Sequence, residues 1–157
     1  MRPAWRIATD TPLYTADDAS GAGAKATGGR WNRQGTPLIY AASSIALACL
    51  ETLVHLGSAG LPLNRYLVRV DIPDDLWAAA QRLTAASAPV GWDAIPAGKT
   101  SLDTGEAWVR AGTSALLLVP SIVIPEEFNV LVNPLHADAR RLAYAKLRRW
   151  QYDARLA

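Results

Sequence analysis

Glu51 is the one carboxylate in an otherwise greasy stretch, Ala46-Leu47-Ala48-Cys49-Leu50-Glu51-Thr52-Leu53-Val54-His55-Leu56. Placed on a helix, its neighbours three and four residues away are Leu47, Ala48, Val54 and His55. Such an acid is partly withdrawn from water, and burying a charge costs several kcal/mol, by rough estimate, unless it is paired. Either it meets an arginine in a structural ion pair, or it lines a cleft and does chemistry there. Arg30 follows Gly28-Gly29, two residues that let the backbone bend and approach a ligand. Its planar fork of donors matches a phosphate or a carboxylate. The alternative is an ordinary surface arginine on a loop.

Tyr40, Ser121, Asn133 and His136 offer further polar groups. Tyr40 ends a short apolar run and either stacks on a flat ring or fills the core. Ser121 follows Val119-Pro120 at the end of an apolar run, as a donor to substrate or as a turn former. No Gly-x-Ser-x-Gly elbow surrounds it, so a hydrolase nucleophile is not expected. Asn133-Pro134 signals a turn, and a lone histidine such as His136 commonly satisfies local hydrogen bonds. Two histidines and one cysteine without ligand spacing argue against zinc, and no phosphate-loop or dinucleotide glycine motif is present. Together these residues suit a phosphorylated, ring-bearing small molecule.

The elements that must position them read as follows. Residues 14–29, rich in Ala, Gly, Ser, Thr and Asp, form a long loop. Residues 37–41 are a strand; Ser43-Ser44 then caps a helix over 45–56, with Gly57 as its stop. Residues 65–71 are a strand closed by Pro73. A helix is compatible with 74–84, and a short one is expected over 103–111. The runs 115–119 and 128–132 are strands, the first covered on both faces, with extended chain over 120–125 between them. Periodicity leaves 142–152 open between helix and strand. The order does not alternate strictly, so the expected class is α+β: one domain over 1–157, with small mixed or antiparallel sheets and a few helices.

At 157 residues, 50% hydrophobic and 19% charged, the chain can bury a core and is not a disordered segment. Its single cysteine, Cys49, permits no internal disulfide. No signal-peptide pattern or membrane-length apolar run occurs, so a cytoplasmic protein is expected. A net charge of +2, from 16 basic and 14 acidic residues, does not by itself point to nucleic acid. A basic stretch containing Arg140, Arg141, Lys146, Arg148, Arg149 and Arg155, interleaved with Tyr144, Trp150 and Tyr152, keeps a non-enzymatic nucleic-acid-binding regulator as an alternative of another class.

Gly28-Gly29-Arg30-Trp31-Asn32, Gly35-Thr36-Pro37, Tyr40 and Ala46-Leu47-Ala48 running into Leu50-Glu51-Thr52-Leu53-Val54-His55-Leu56 resemble the RES domain family. So do Val119-Pro120-Ser121, Asn129, Val132-Asn133-Pro134-Leu135-His136 and the closing Asp153-Ala154-Arg155-Leu156. The resemblance implies a compact relative of ADP-ribosyltransferases, and a strand in the ambiguous 142–152 segment. It implies a toxin that cuts the nicotinamide–ribose bond of NAD⁺, with water or phosphate as acceptor, or that ADP-ribosylates a protein. Arg30, Glu51 and Ser121 map to the arginine, glutamate and serine of the family name and would be catalytic. Arg30, Tyr40, Asn133, Gly29 and Trp31 would contact NAD⁺, which is the substrate; no separate cofactor and no metal are implied. Ser121 and Asn133 would fix substrate hydroxyl or amide groups. The implied partner is an Xre-type helix-turn-helix antitoxin that blocks the site, through which alone nucleic acid is reached; a homodimer is left open.

Overall fold

The computed structural model describes residues 1–56 and 60–156. Seven strands form one sheet: β1 (Arg2–Thr9), β2 (Ile39–Ala42), β3 (Arg65–Ile72), β4 (Gln81–Arg82), β5 (Leu116–Pro120), β6 (Phe128–Val132) and β7 (Ala143–Arg149). Their order is β4-β5-β6-β2-β1-β3-β7, antiparallel except for the β4–β5 pair. Four helices join them: α1 (Ala22–Thr27), α2 (Ile45–Leu53), α3 (Asp74–Ala78) and α4 (Lys99–Ala111). The class is α+β, and no helix among the described residues is long and apolar enough to cross a membrane.

Alternation along the strands sends side chains to two faces. On one, Leu116, Leu118, Val130, Val132, Ile39 and Val70 pack beneath Leu76 of α3 and Leu142. On the other, Leu117, Val119 and Leu131 pack under Trp108 and Val109 of α4, with Trp31 and Trp92. Beside them Leu47 and Ala48 of α2 cover Ile7, Ala42 and Leu67. All five residues of β5 are buried, as its unbroken apolar run requires. α2 and α4 therefore lie on the same side of the sheet.

Several local expectations change. β1 has no strand signal of its own, yet eight of its residues pair with β3. Pro3 is tolerated there because β2 meets β1 only at Trp5 and Ala42, so no ladder bond is missed on that side. The 14–29 loop contains α1, which starts after Gly21 in the left-handed region (φ 75°). The helix from 74 stops at Ala78, because Gln81 and Arg82 are drawn to the edge of β5 and Leu83 N–H donates to Leu118 O. α4 begins at Lys99, four residues before the expected start. α2 ends at Leu53, and Gly57, its expected stop, lies outside the described residues. Pro120 ends β5, and residues 121–125 turn instead of running extended: Ser121 N–H donates to Glu127 O and Glu127 N–H to Ile124 O, which closes β5 onto β6. Within the 142–152 segment, Ala143–Arg149 is strand β7. Its outer edge is unpaired in the described chain, and Leu147 bulges between Lys146 opposite Val68 and Arg148 opposite Leu67.

Candidate active site

α2 starts immediately after β2, and Ser44 caps it by accepting from Leu47 N–H, a contact worth about 1 kcal/mol. Leu47 faces the sheet, and Glu51 stands one turn further along the same side of the helix. Its half-buried carboxylate thus arrives beside the β5–β6 turn. There Ser121 Oγ–H donates to Glu51 Oε1 at 2.5 Å. Ser121 is fully buried, and its oxygen accepts from Val123 N–H (3.0 Å) and Ile124 N–H (3.1 Å). A hydroxyl has one hydrogen and two lone pairs, so Ser121 is saturated. It orients Glu51 and has no donor left for a substrate. No ion pair within 4.0 Å holds Glu51 among the described residues, and its Oε2 accepts no hydrogen bond from them.

Arg30 is half-buried at the tip of the loop between α1 and β2. Its Nη1 donates to Trp92 O (3.0 Å) and Ala94 O (2.8 Å), and Nε and Nη2 donate to no partner among the described residues. One edge of the guanidinium is anchored, and the edge suited to bidentate phosphate binding is free. Burial lowers the Arg30 pKa from its ordinary value; the charge of Glu51, then that of Asp93, opposes this. The carboxylate and the guanidinium therefore sense one another without forming a salt bridge.

The loop that carries Arg30 is tied down on several sides. Gly29 N–H donates to Asn32 O. Tyr40 Oη–H donates to Asn32 Oδ1 (2.6 Å), and Trp31 N–H donates to Tyr40 Oη (3.0 Å). Burial pushes the Tyr40 phenol above its ordinary pKa, which keeps it neutral. Gly29 admits that phenol: a Cβ there would lie 2.6 Å from Tyr40 Oη. On α4, Glu106 accepts from Arg33 N–H (2.7 Å) and Thr36 Oγ1–H (2.8 Å). Gly105 lies so close to the loop that a Cβ would come within 1.8 Å of Trp31 O.

Two expected ligand contacts are corrected by this geometry. Trp31 is 2% exposed, and its ring stacks on Trp92 inside the core, with centroids 6.5 Å apart. Asn133 follows β6 at the opposite end of the β5–β6 pair from Ser121, about 20 Å away at the usual strand rise. It is 1% exposed; its Nδ2 donates to Val109 O, and its Oδ1 accepts from Leu135 N–H. Asn133 and His136 instead line a shallow depression of about 470 Å³ with Arg110 and Leu135. Tyr40 and Gly29 shape the Arg30 loop, and the hydroxyl of Tyr40 is already used. Ser121 meets Glu51 through a hydrogen bond, and the charge of Glu51 acts on Arg30.

Asn32, Glu106 and the carbonyls of Trp92 and Ala94 escaped sequence reasoning. A glycine inside a helix, which costs about 1 kcal/mol relative to alanine, is the signal that marks the α4 contact. Three of the six basic side chains of the C-terminal stretch are paired: Arg141 with Asp75, Lys146 with Asp10 and Arg155 with Asp153.

The RES domain family matches residues 3–154. The chain belongs to the RES domain family. It is similar to a Sphingobium RES relative called "Prs ADP-ribosylating toxin", with 58% identity over 152 residues, 97% of this chain and 94% of the relative. It is 40% identical over 123 residues to a "Toxin Res" of Yersinia enterocolitica, covering 78% of this chain and 79% of that one. A "Toxin Res" of Photorhabdus laumondii is 37% identical over 125 residues, covering 80% of this chain and 78% of that one. These RES names describe toxins, and the first an ADP-ribosylating one.

Proposed function

We propose that this RES domain is a toxin that breaks the nicotinamide–ribose bond of NAD⁺ and passes the ADP-ribosyl group to water or phosphate. What supports the reading is the Glu51 carboxylate held by Ser121 beside an arginine whose bidentate edge is uncommitted. In NAD⁺ the nicotinamide is a cation and departs as a neutral amide, so the leaving group needs no proton. The protein's task is to stabilise positive charge growing on the ribose and to hold the rest still. Glu51 serves the first need and Arg30, on the pyrophosphate, the second. The balance is simple: the C–N bond breaks, nicotinamide keeps the electron pair, and the acceptor oxygen forms the new bond and sheds its proton.

A second reading, transfer of ADP-ribose onto a protein, is favoured by the name of the 58% identical relative. Both readings use the same bond cleavage. The reading carries with it a cytoplasmic location and an Xre-type helix-turn-helix antitoxin that covers the site. The nucleic-acid regulator is disfavoured by the ion pairing of the basic stretch.

The test is purified protein with NAD⁺ labelled in its ADP-ribose half. Nicotinamide release is expected, and it is abolished in Glu51→Gln at an unchanged melting temperature. A wild-type protein that releases none overturns the proposal, as does a Glu51→Gln protein with normal turnover. Label in free ADP-ribose or its phosphate supports the first reading, and label on a macromolecule the second.

A further inference from the structure

We propose that Glu106 is a positioning residue for Arg30, setting NAD⁺ affinity without touching NAD⁺; the assignment rests on the NAD⁺ reading of the site. The loop from Gly28 to Thr36 is stitched to itself and its flanks by neutral bonds: Tyr40 to Asn32, and Asn32 Nδ2 to Ala24 O and Thr36 O. Those bonds fix its shape, and Trp31 seats its middle in the core against Trp92 and Trp108, while the Arg33–Thr36 half takes its place against α4 through polar contacts. The Arg30 guanidinium takes its direction from Trp92 O and Ala94 O, in the segment that leads into α4. The loop and that segment must therefore stay in register for Nε and Nη2 to keep their direction.

Beside the Trp31–Trp92 stack, Glu106 supplies the polar part of that register. It lies on α4, and each of its carboxylate oxygens takes one charge-assisted bond, from Arg33 N–H and from Thr36 Oγ1–H, across 73 and 70 residues. The only other polar side-chain link from α4 to this loop among the described residues is the ion pair of Asp103 with Arg33, which is about half exposed and thus weak. Gly105, next to Glu106, brings the helix backbone against Trp31 O, so the carboxylate meets the loop at short range. Binding groups must be held within about 0.5 Å of their working geometry. Without Glu106 the Arg33–Thr36 half of the loop loses its charge-assisted hold on α4, and Arg30 is left to the packing of Trp31 and its two carbonyl bonds.

The experiment compares wild type, Glu106→Ala, Glu106→Gln, Arg30→Ala and the Arg30→Ala/Glu106→Ala double variant by nicotinamide release, and by hydrogen exchange at the amides of residues 29–36. Glu106→Ala should raise KM for NAD⁺ about tenfold, with a much smaller change in kcat, and speed exchange at Arg33. Glu106→Gln should restore most of the affinity, because an amide can accept from Arg33 N–H and donate to Thr36 Oγ1. On the Arg30→Ala background, loss of Glu106 should add nothing to KM. An unchanged exchange rate at Arg33, an unchanged KM, or fully additive effects in the double variant overturns the proposal. No nicotinamide release by wild type instead overturns the NAD⁺ reading, and the exchange rates still decide whether Glu106 holds the loop.

Discussion

Replacing Ser121 by alanine removes a single oxygen that makes three hydrogen bonds: one given to Glu51 and two taken from Val123 and Ile124. The bond to a charged group is the valuable one, at roughly 1.5–3 kcal/mol. Glu51 is half-buried, so water can partly replace its lost donor, and the lower end of that range applies. If the hydroxyl serves to aim the carboxylate at the ribose, about 1.5 kcal/mol of transition-state stabilisation is lost, a fall in kcat of about tenfold. The two freed N–H groups belong to half-buried residues and cost about 1–2 kcal/mol of stability, a drop in Tm of roughly 3–6 °C for a chain of this size. The assay is steady-state nicotinamide release alongside a thermal melt, with Glu51→Gln as the reference for complete loss. A lowered Tm with wild-type kcat would show that the serine only folds the turn and would refute the aiming role.

Asn133→Ala should lower Tm by roughly 3–9 °C, because it strips two bonds from a buried amide, yet leave nicotinamide release per folded molecule unchanged. Lost turnover at a normal Tm would return Asn133 to the site. Gly105→Ala should destabilise, although alanine is favoured over glycine in a helix by about 1 kcal/mol, because its Cβ would collide with Trp31 O; a raised Tm would contradict the close contact. Hydrogen bonds from Lys146, Arg141 and Lys99 hold the Asp10, Asp75 and Asp103 carboxyls below their ordinary value of 3.8. Their stabilising effect is complete above that value and disappears as pH falls through the lower folded values. A pH series of melts should therefore decline below about pH 4, less steeply in Asp103→Asn, and the decline should be salt-sensitive.

Runs of apolar residues were legible as strands because burial writes them directly into composition: β5, β6 and most of β2 and β3 stand where the hydrophobic pattern puts them. α2 was legible through Ser44 and an unbroken apolar face. β1 was not, because its pairing with β3 is a long-range bond pattern that leaves little local trace among Arg2, Pro3, Trp5 and Arg6. The helix expected from 74 to 84 lost its second half to the β5 edge, a case of tertiary pairing overriding local propensity. Arg30, Glu51 and Ser121 were singled out by residue type and motif. That Ser121 spends its hydrogen on Glu51, and that Asn133 sits at the far end of the same strand pair, follow from sheet register. Register is set by partners scattered along the chain.

The strand that closes the sheet on the β3 side has consequences for how copies of this protein meet. Arg148 and Arg149 are exposed on β7, and the extra residue at Leu147 interrupts its ladder. Two molecules zipping rim to rim would press like charges together along a buckled seam. Self-association through that margin is thus discouraged by both electrostatics and shape.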